Sequence, residues 1–279
     1  MKKRIFKLAL AALTLSVFLI FAVSCSDSGK VNDALEDTRE LEGVDADVYF
    51  NVYATHGSLS KRIQAVEHIV ASGNQAVITV GEYEKAEKTV YVNGADVYFD
   101  GYRQNRSEYE MYNGSHTAFV YDLLNFQMDD ILFEKAEISE SAGKFKVKKT
   151  FDEEEERELF NEMLKPFFNN IERRMNNLVG CGDCQRFSER CDDCKFKDAL
   201  YEGTSLELVI KDGYVERIRV KFDMFATLDG VETTLNADIE MNINNPGKDV
   251  SVEMPTGYES FESYKMTTIP VIENWFKKK

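Results

Sequence analysis

Leu206-Glu207-Leu208-Val209-Ile210-Lys211-Asp212-Gly213-Tyr214-Val215-Glu216-Arg217-Ile218-Arg219-Val220-Lys221-Phe222-Asp223-Met224 decides the fold class. Leu206, Leu208 and Ile210 alternate with polar residues up to Lys211-Asp212-Gly213. Ile218, Val220, Phe222 and Met224 then alternate with Arg217, Arg219, Lys221 and Asp223. A second Asp-Gly pair, Asp229-Gly230, leads into Leu235, Ala237, Ile239, Met241 and Ile243, again at every second position. A period of two places all the apolar side chains of a strand on one face, and Asp-Gly suits the tight hairpin turn. The stretch therefore reads as a three-stranded antiparallel meander with one greasy and one wet face. Its greasy face needs a cover.

The same texture begins near Val44. Strands are expected over Asp47–Tyr53, Ala76–Val80, Lys88–Val92 and Ala95–Phe99, the last two joined at Asn93-Gly94. Leu59–Val70 fits a helical stripe as well as a strand, and its neighbours favour a strand. Ala136–Thr150 reads as a strand pair around Ala142-Gly143-Lys144. Two helices between the β regions are the natural cover. Thr117–Glu134 carries Phe119, Leu123 and Phe126 on one stripe. Asp152–Leu178 carries Phe160, Leu164, Phe167, Ile171, Met175 and Leu178, with Pro166 expected to kink or split it.

The N-terminus has a different character. Lys2, Lys3, Arg4 and Lys7 precede an apolar run from Leu8 to Val23, and Ala22-Val23-Ser24-Cys25 closes it. Basic, greasy and small residues in that order make a secretory signal over residues 1–24. The closing four residues resemble the lipobox of bacterial lipoproteins, with Ala22 where leucine is commoner. The resemblance implies that Cys25 carries diacylglyceryl and starts the mature chain. Two acyl chains suffice for stable anchoring where one is marginal. Residues 25–43 then read as a lipidated tether, with a short helix conceivable over Val31–Leu41. The protein is expected outside the cytoplasm, held at a membrane.

Composition sets bounds on partners. The 279 residues hold 34 Lys+Arg against 49 Asp+Glu, a net charge of −15. Removing residues 1–24 takes away four bases and no acids, so the mature body carries −19. Such a body is repelled by nucleic acid and by anionic lipid head groups. Apolar content of 43% is that of a folded domain. His56, His68 and His116 are scattered, and no nucleophile elbow, zinc-binding helix motif, phosphate loop or dinucleotide fingerprint is present. The chain is read as a non-enzyme without a cofactor, and as a monomer.

Four cysteines lie within fourteen residues: Cys181, Cys184, Cys191 and Cys194. Two CxxC pairs can ligate zinc or iron through four thiolates, yet an oxidising compartment favours disulfides. Asp183, Glu189, Asp192 and Asp193 disfavour reactive thiolates. Two structural disulfides that staple a helical insertion over about 152–200 are expected. A nested pairing of Cys181 with Cys194 and Cys184 with Cys191 suits a helical hairpin. A metal held by the same four thiols is the alternative.

Together with the signal, the meander and the insertion, the run from Gly247 through Val250, Val252, Met254, Pro255 and Gly257 to Tyr258 and Phe261 resembles the LolA/LppX-type lipoproteins. Members often close their sheet with a strand ending in proline. The resemblance implies an α+β fold: a curved antiparallel sheet, an open half-barrel, covered by helices that can shelter acyl chains. It implies one domain over 44–265, with a tail over 266–279. The ligand-lining candidates are Ile218, Val220, Phe222, Met224, Leu235, Ile239 and Met241. The function expected is that of a carrier or sensor for a lipid or other apolar ligand. An envelope interaction module without a cavity, or a metal-binding lipoprotein using the cysteines, is the alternative.

Overall fold

The computed structural model describes residues 29–82, 87–113, 136–151, 183 and 197–265. Among the described residues, twelve strands form one large, curved, mostly antiparallel sheet. Its N-terminal half is a meander of β1 (Gly43–His56), β2 (Leu59–Ser72), β3 (Gln75–Glu82), β4 (Lys88–Asn93), β5 (Asp96–Phe99) and β6 (Tyr102–Asn105). Its C-terminal half is a second meander of β7 (Glu137–Ser141), β8 (Lys144–Thr150), β9 (Lys197–Lys211), β10 (Tyr214–Leu228) and β11 (Val231–Ile243). The halves are fused by the long antiparallel pair β1–β11, which runs from Ala46 opposite Ile243 to His56 opposite Thr233. A short β12 (Glu262–Ser263) adds to the β6 edge in parallel.

The expected meander forms as read. Asp212-Gly213 and Asp229-Gly230 all have positive φ (52°, 83°, 54° and 68°), the backbone of a tight hairpin whose twist matches the strands. Three register shifts between β9 and β10 break the ladder, and such bulges increase local twist. The ambiguous Leu59–Val70 is a strand within β2, and Ala136–Thr150 supplies the hairpin β7–β8. The β4–β5 turn falls on Gly94-Ala95, one residue beyond the expected Asn93-Gly94. Asn93 stays in the ladder, paired with Gln75 on one side and Asp96 on the other.

Two expectations are corrected. The span 25–43 is not wholly a tether, because residues 29–39 form a helix, α1, that belongs to the core. Val31, Ala34, Leu35 and Thr38 follow the i, i+3, i+4, i+7 spacing of one helical face, and all four are buried. Thr38 Oγ1 donates to the Ala34 carbonyl and accepts the Val215 N–H at 2.9 Å, which ties α1 to the start of β10. The closing run is also not a strand ending in Pro255. Residues 249–255 lack regular structure, and a 3-10 turn follows at Tyr258–Ser260. Tyr258 and Phe261 then pack edge-on against Tyr98, with ring centroids 5.0 and 6.1 Å away. Aromatic packing holds this segment where ladder bonds were expected.

A second described helix, α2 (Arg106–Asn113), follows β6. The expected helices over Thr117–Glu134 and Asp152–Leu178, the signal and the tail from residue 266 lie outside the described residues. So does the insertion expected over 152–200, apart from residue 183 and residues 197–200, which are the start of β9 and not part of a helical insertion. Among the described residues no helix is long and apolar enough to cross a membrane.

Candidate functional site

The long strands deliver the seven lining candidates to one place. Across β10 and β11, Ile218 faces Met241, Val220 faces Ile239 and Met224 faces Leu235, while Phe222 faces Ala237. The next strand continues the same face, with Val48 beside Met241, Phe50 beside Ile239 and Ala54 beside Leu235. On the other flank, Leu208 and Leu206 of β9 adjoin Ile218 and Val220. Identical parity in four neighbouring strands makes one continuous apolar wall. All seven candidates are buried, none more than 4% exposed, and belong to a single hydrophobic cluster. The six-residue step from Ile218 to Met224 spans about 20 Å at ~3.3 Å per residue, the scale of a long acyl chain.

Several polar residues share this inner face, and the sequence reading passed over them. Glu67 occupies an inner position between Val48 and Val80, and Lys149 one beside Leu206; both are buried. The Lys149 ammonium lies over the Phe151 ring, 5.6 Å from its centroid. His56 Nδ1 is 2.9 Å from Thr233 Oγ1, both buried, at the β1–β2 turn end of the wall. A charge at an apolar parity position was the available signal. It was obscured because β2 is not a clean alternation: Lys61 and Glu67 sit on the parity of Ile63, Ala65 and Ile69.

The outer face carries charge in ordered ladders. Arg219 donates two parallel hydrogen bonds to Asp238, Nε to Oδ1 at 2.8 Å and Nη2 to Oδ2 at 2.7 Å, and Lys221 lies 3.2 Å from the same carboxylate. The Arg219 hydrogen bond chiefly holds the Asp238 carboxyl below its ordinary range. Burial pushes Glu207 the other way, but Lys146 and Arg217 outweigh it and leave its pKa lowered. His68 Nδ1 is 2.9 Å from Asp47, whose other oxygen accepts from Asn244 at 3.0 Å. An open depression of about 580 Å³ lies on this face, lined by Tyr49, Gln64, Val66, Arg219, Asp238 and Glu240 among others. Phe50 and Ala65, of the inner parity, also border it.

Among the described residues no group of three or more His, Cys, Asp or Glu could hold a metal ion. Cys25, the lipidation candidate, lies outside the described residues. So do Cys181, Cys184, Cys191 and Cys194, with both their disulfide pairing and the metal alternative.

No family model and no curated protein matches the chain. Comparison with solved structures returns LprF from Mycobacterium bovis, 13% identical, at a TM-score of 0.37 over 83% of this chain and 98% of that one. It also returns the lipoprotein LppX from Mycobacterium tuberculosis, 13% identical, at a TM-score of 0.26 over 81% of this chain and 97% of that one. LppX, to whose type the sequence was likened, is one of these two structures.

Proposed function

We propose that the protein is a membrane-tethered, non-enzymatic carrier or sensor outside the cytoplasm. It holds a lipid or another apolar ligand between the inner face of the sheet and its cover. The observation that carries this reading is the unbroken apolar wall across β9, β10, β11 and β1, with Ile218, Val220, Phe222, Met224, Leu235, Ile239 and Met241 at its centre. Ionic ladders occupy the outer face, so the two faces have opposite solvent preference. A wall of aliphatic, Phe and Met side chains is the lining that suits flexible acyl chains, since methionine adapts to irregular shapes. Diacylation of Cys25 supplies the anchor, and the acidic body remains a monomer that avoids nucleic acid.

Purification of the body from residue 26 without detergent, followed by solvent extraction and mass spectrometry, tests the ligand. A lipid recovered in near-stoichiometric amount is expected, and its loss on Ala237→Phe with little change in melting temperature. Ala237 sits between Phe222 and Val52 on the wall, so added bulk there competes with a ligand. No extractable lipid, together with a variant destabilised by the ~1–3 kcal/mol of an overpacked core, would overturn the proposal.

A further inference from the structure

We infer that the sheet end bearing α1 rests against the anchoring bilayer, with the long strands pointing away from it. This rests on the lipidation of Cys25 proposed above. Only three residues separate Cys25 from Gly29, the first described residue of α1. Four peptide steps reach at most about 14 Å. A lead this short tethers the body closely wherever α1 is fixed, and α1 is fixed. Val31 and Ala34 are fully buried, Leu35 and Thr38 nearly so. The Lys30 ammonium sits over the Phe145 ring at 4.9 Å, and Thr38 is hydrogen-bonded to Val215.

Those two contacts also give α1 its direction. It starts beside β8, reaches β10 at Thr38, and its chain then enters β1. The helix therefore lies across the strand ends where the turns Ala142-Gly143 and Asp212-Gly213 are found. The turns Gly57-Ser58 and Asp229-Gly230 lie at the opposite end, beyond the 15 residues of β10. At ~3.3 Å per residue that strand alone places them on the order of 50 Å farther along. Charge does not hold the near end down: residues 29–43 carry Asp33, Glu36, Asp37, Glu40 and Glu42 against Lys30 and Arg39. The covalent lead does. In this posture α1 stands between the bilayer and that end of the apolar wall.

The test uses the full lipidated chain in phosphatidylcholine vesicles containing an acceptor dye on a lipid head group. A fluorophore is attached through an unnatural amino acid at Ser141, an exposed residue beside the near turns, or at Ser58 in the far β1–β2 turn. Energy transfer several-fold stronger from position 141 than from 58 is expected. Twenty flexible residues inserted after Ser28 should bring the two close to equal. Equal transfer without the insertion, or stronger transfer from 58, overturns the orientation while leaving the anchor intact. A full chain that does not float with vesicles and shows no added mass on Cys25 overturns the anchor and the orientation together.

Discussion

At the scale of single residues, Thr38 is the most informative position. Its hydroxyl bridges the Ala34 carbonyl and the Val215 N–H at a site 1% exposed. Thr38→Val keeps the shape but strands a buried N–H, which costs about 1–3 kcal/mol. Urea unfolding should show that loss, with Thr38→Ser recovering most of it. Asp238 gives a pH-dependent counterpart. Its carboxyl titrates lower when folded than when unfolded, because Arg219 and Lys221 favour the charged form. Its contribution is present above the ordinary Asp range, near pH 4, and disappears as pH falls through the lower folded value. Asp238→Asn should therefore be less stable than the parent at neutral pH. The gap should close on acidification, as followed by urea midpoints across the acid range.

At the scale of elements, the hairpins and α1 show two different sources of stability. Gly230 has φ 68°, and an added Cβ would meet nothing within 4 Å. Gly230→Ala isolates the backbone cost of a left-handed turn, expected at about 1 kcal/mol in a thermal melt. Gly43 is the opposite case, since a Cβ there would come within 2.8 Å of the Val250 Cβ and 3.1 Å of the Ala71 carbonyl. Its lack of a side chain lets the 249–255 segment lie against the start of β1. The described part of helix α1, residues 29–39, buries Val31, Ala34, Leu35 and Thr38, and packing of such a face is what chiefly stabilises a helix in a protein. Leu35→Ala removes a side chain 3% exposed and should cost about 2–4 kcal/mol in denaturant. The apolar spacing of α1 was legible in the sequence. A short helix over Val31–Leu41 was foreseen, but not its burial, because Asp33, Glu36, Asp37 and Glu40 make the segment look like a solvated lead.

At the scale of the molecule, the two meanders are made one by β1 and β11, whose residues lie almost 200 positions apart, as Ala46 and Ile243 do. That pairing extends the wall from β10–β11 into the N-terminal half. Deleting residues 29–40 removes the helix that seals one end of the wall. The expected result is a body that binds a hydrophobic dye strongly and melts at lower temperature. Unchanged dye binding would show that α1 covers little of the apolar face. The meander, its two Asp-Gly turns and the shared face of the seven candidates were readable because turn chemistry and a period of two are local properties. The β2 strand was readable only weakly, since Lys61 and Glu67 interrupt its inner parity.

The sequence alone determined the half-wet meander from Leu206 to Ile243, its Asp-Gly turns and the parity that gathers Ile218, Val220, Phe222, Met224, Leu235, Ile239 and Met241 onto one face. Alternation and turn preference act over a few residues and need no distant partner. Only the tertiary structure decided that β1 joins β11, that α1 is core, and that Tyr258 and Phe261 close on Tyr98 by ring packing. Each of these rests on burial between segments remote along the chain. A local pattern shows which face is greasy, but not which distant surface will cover it.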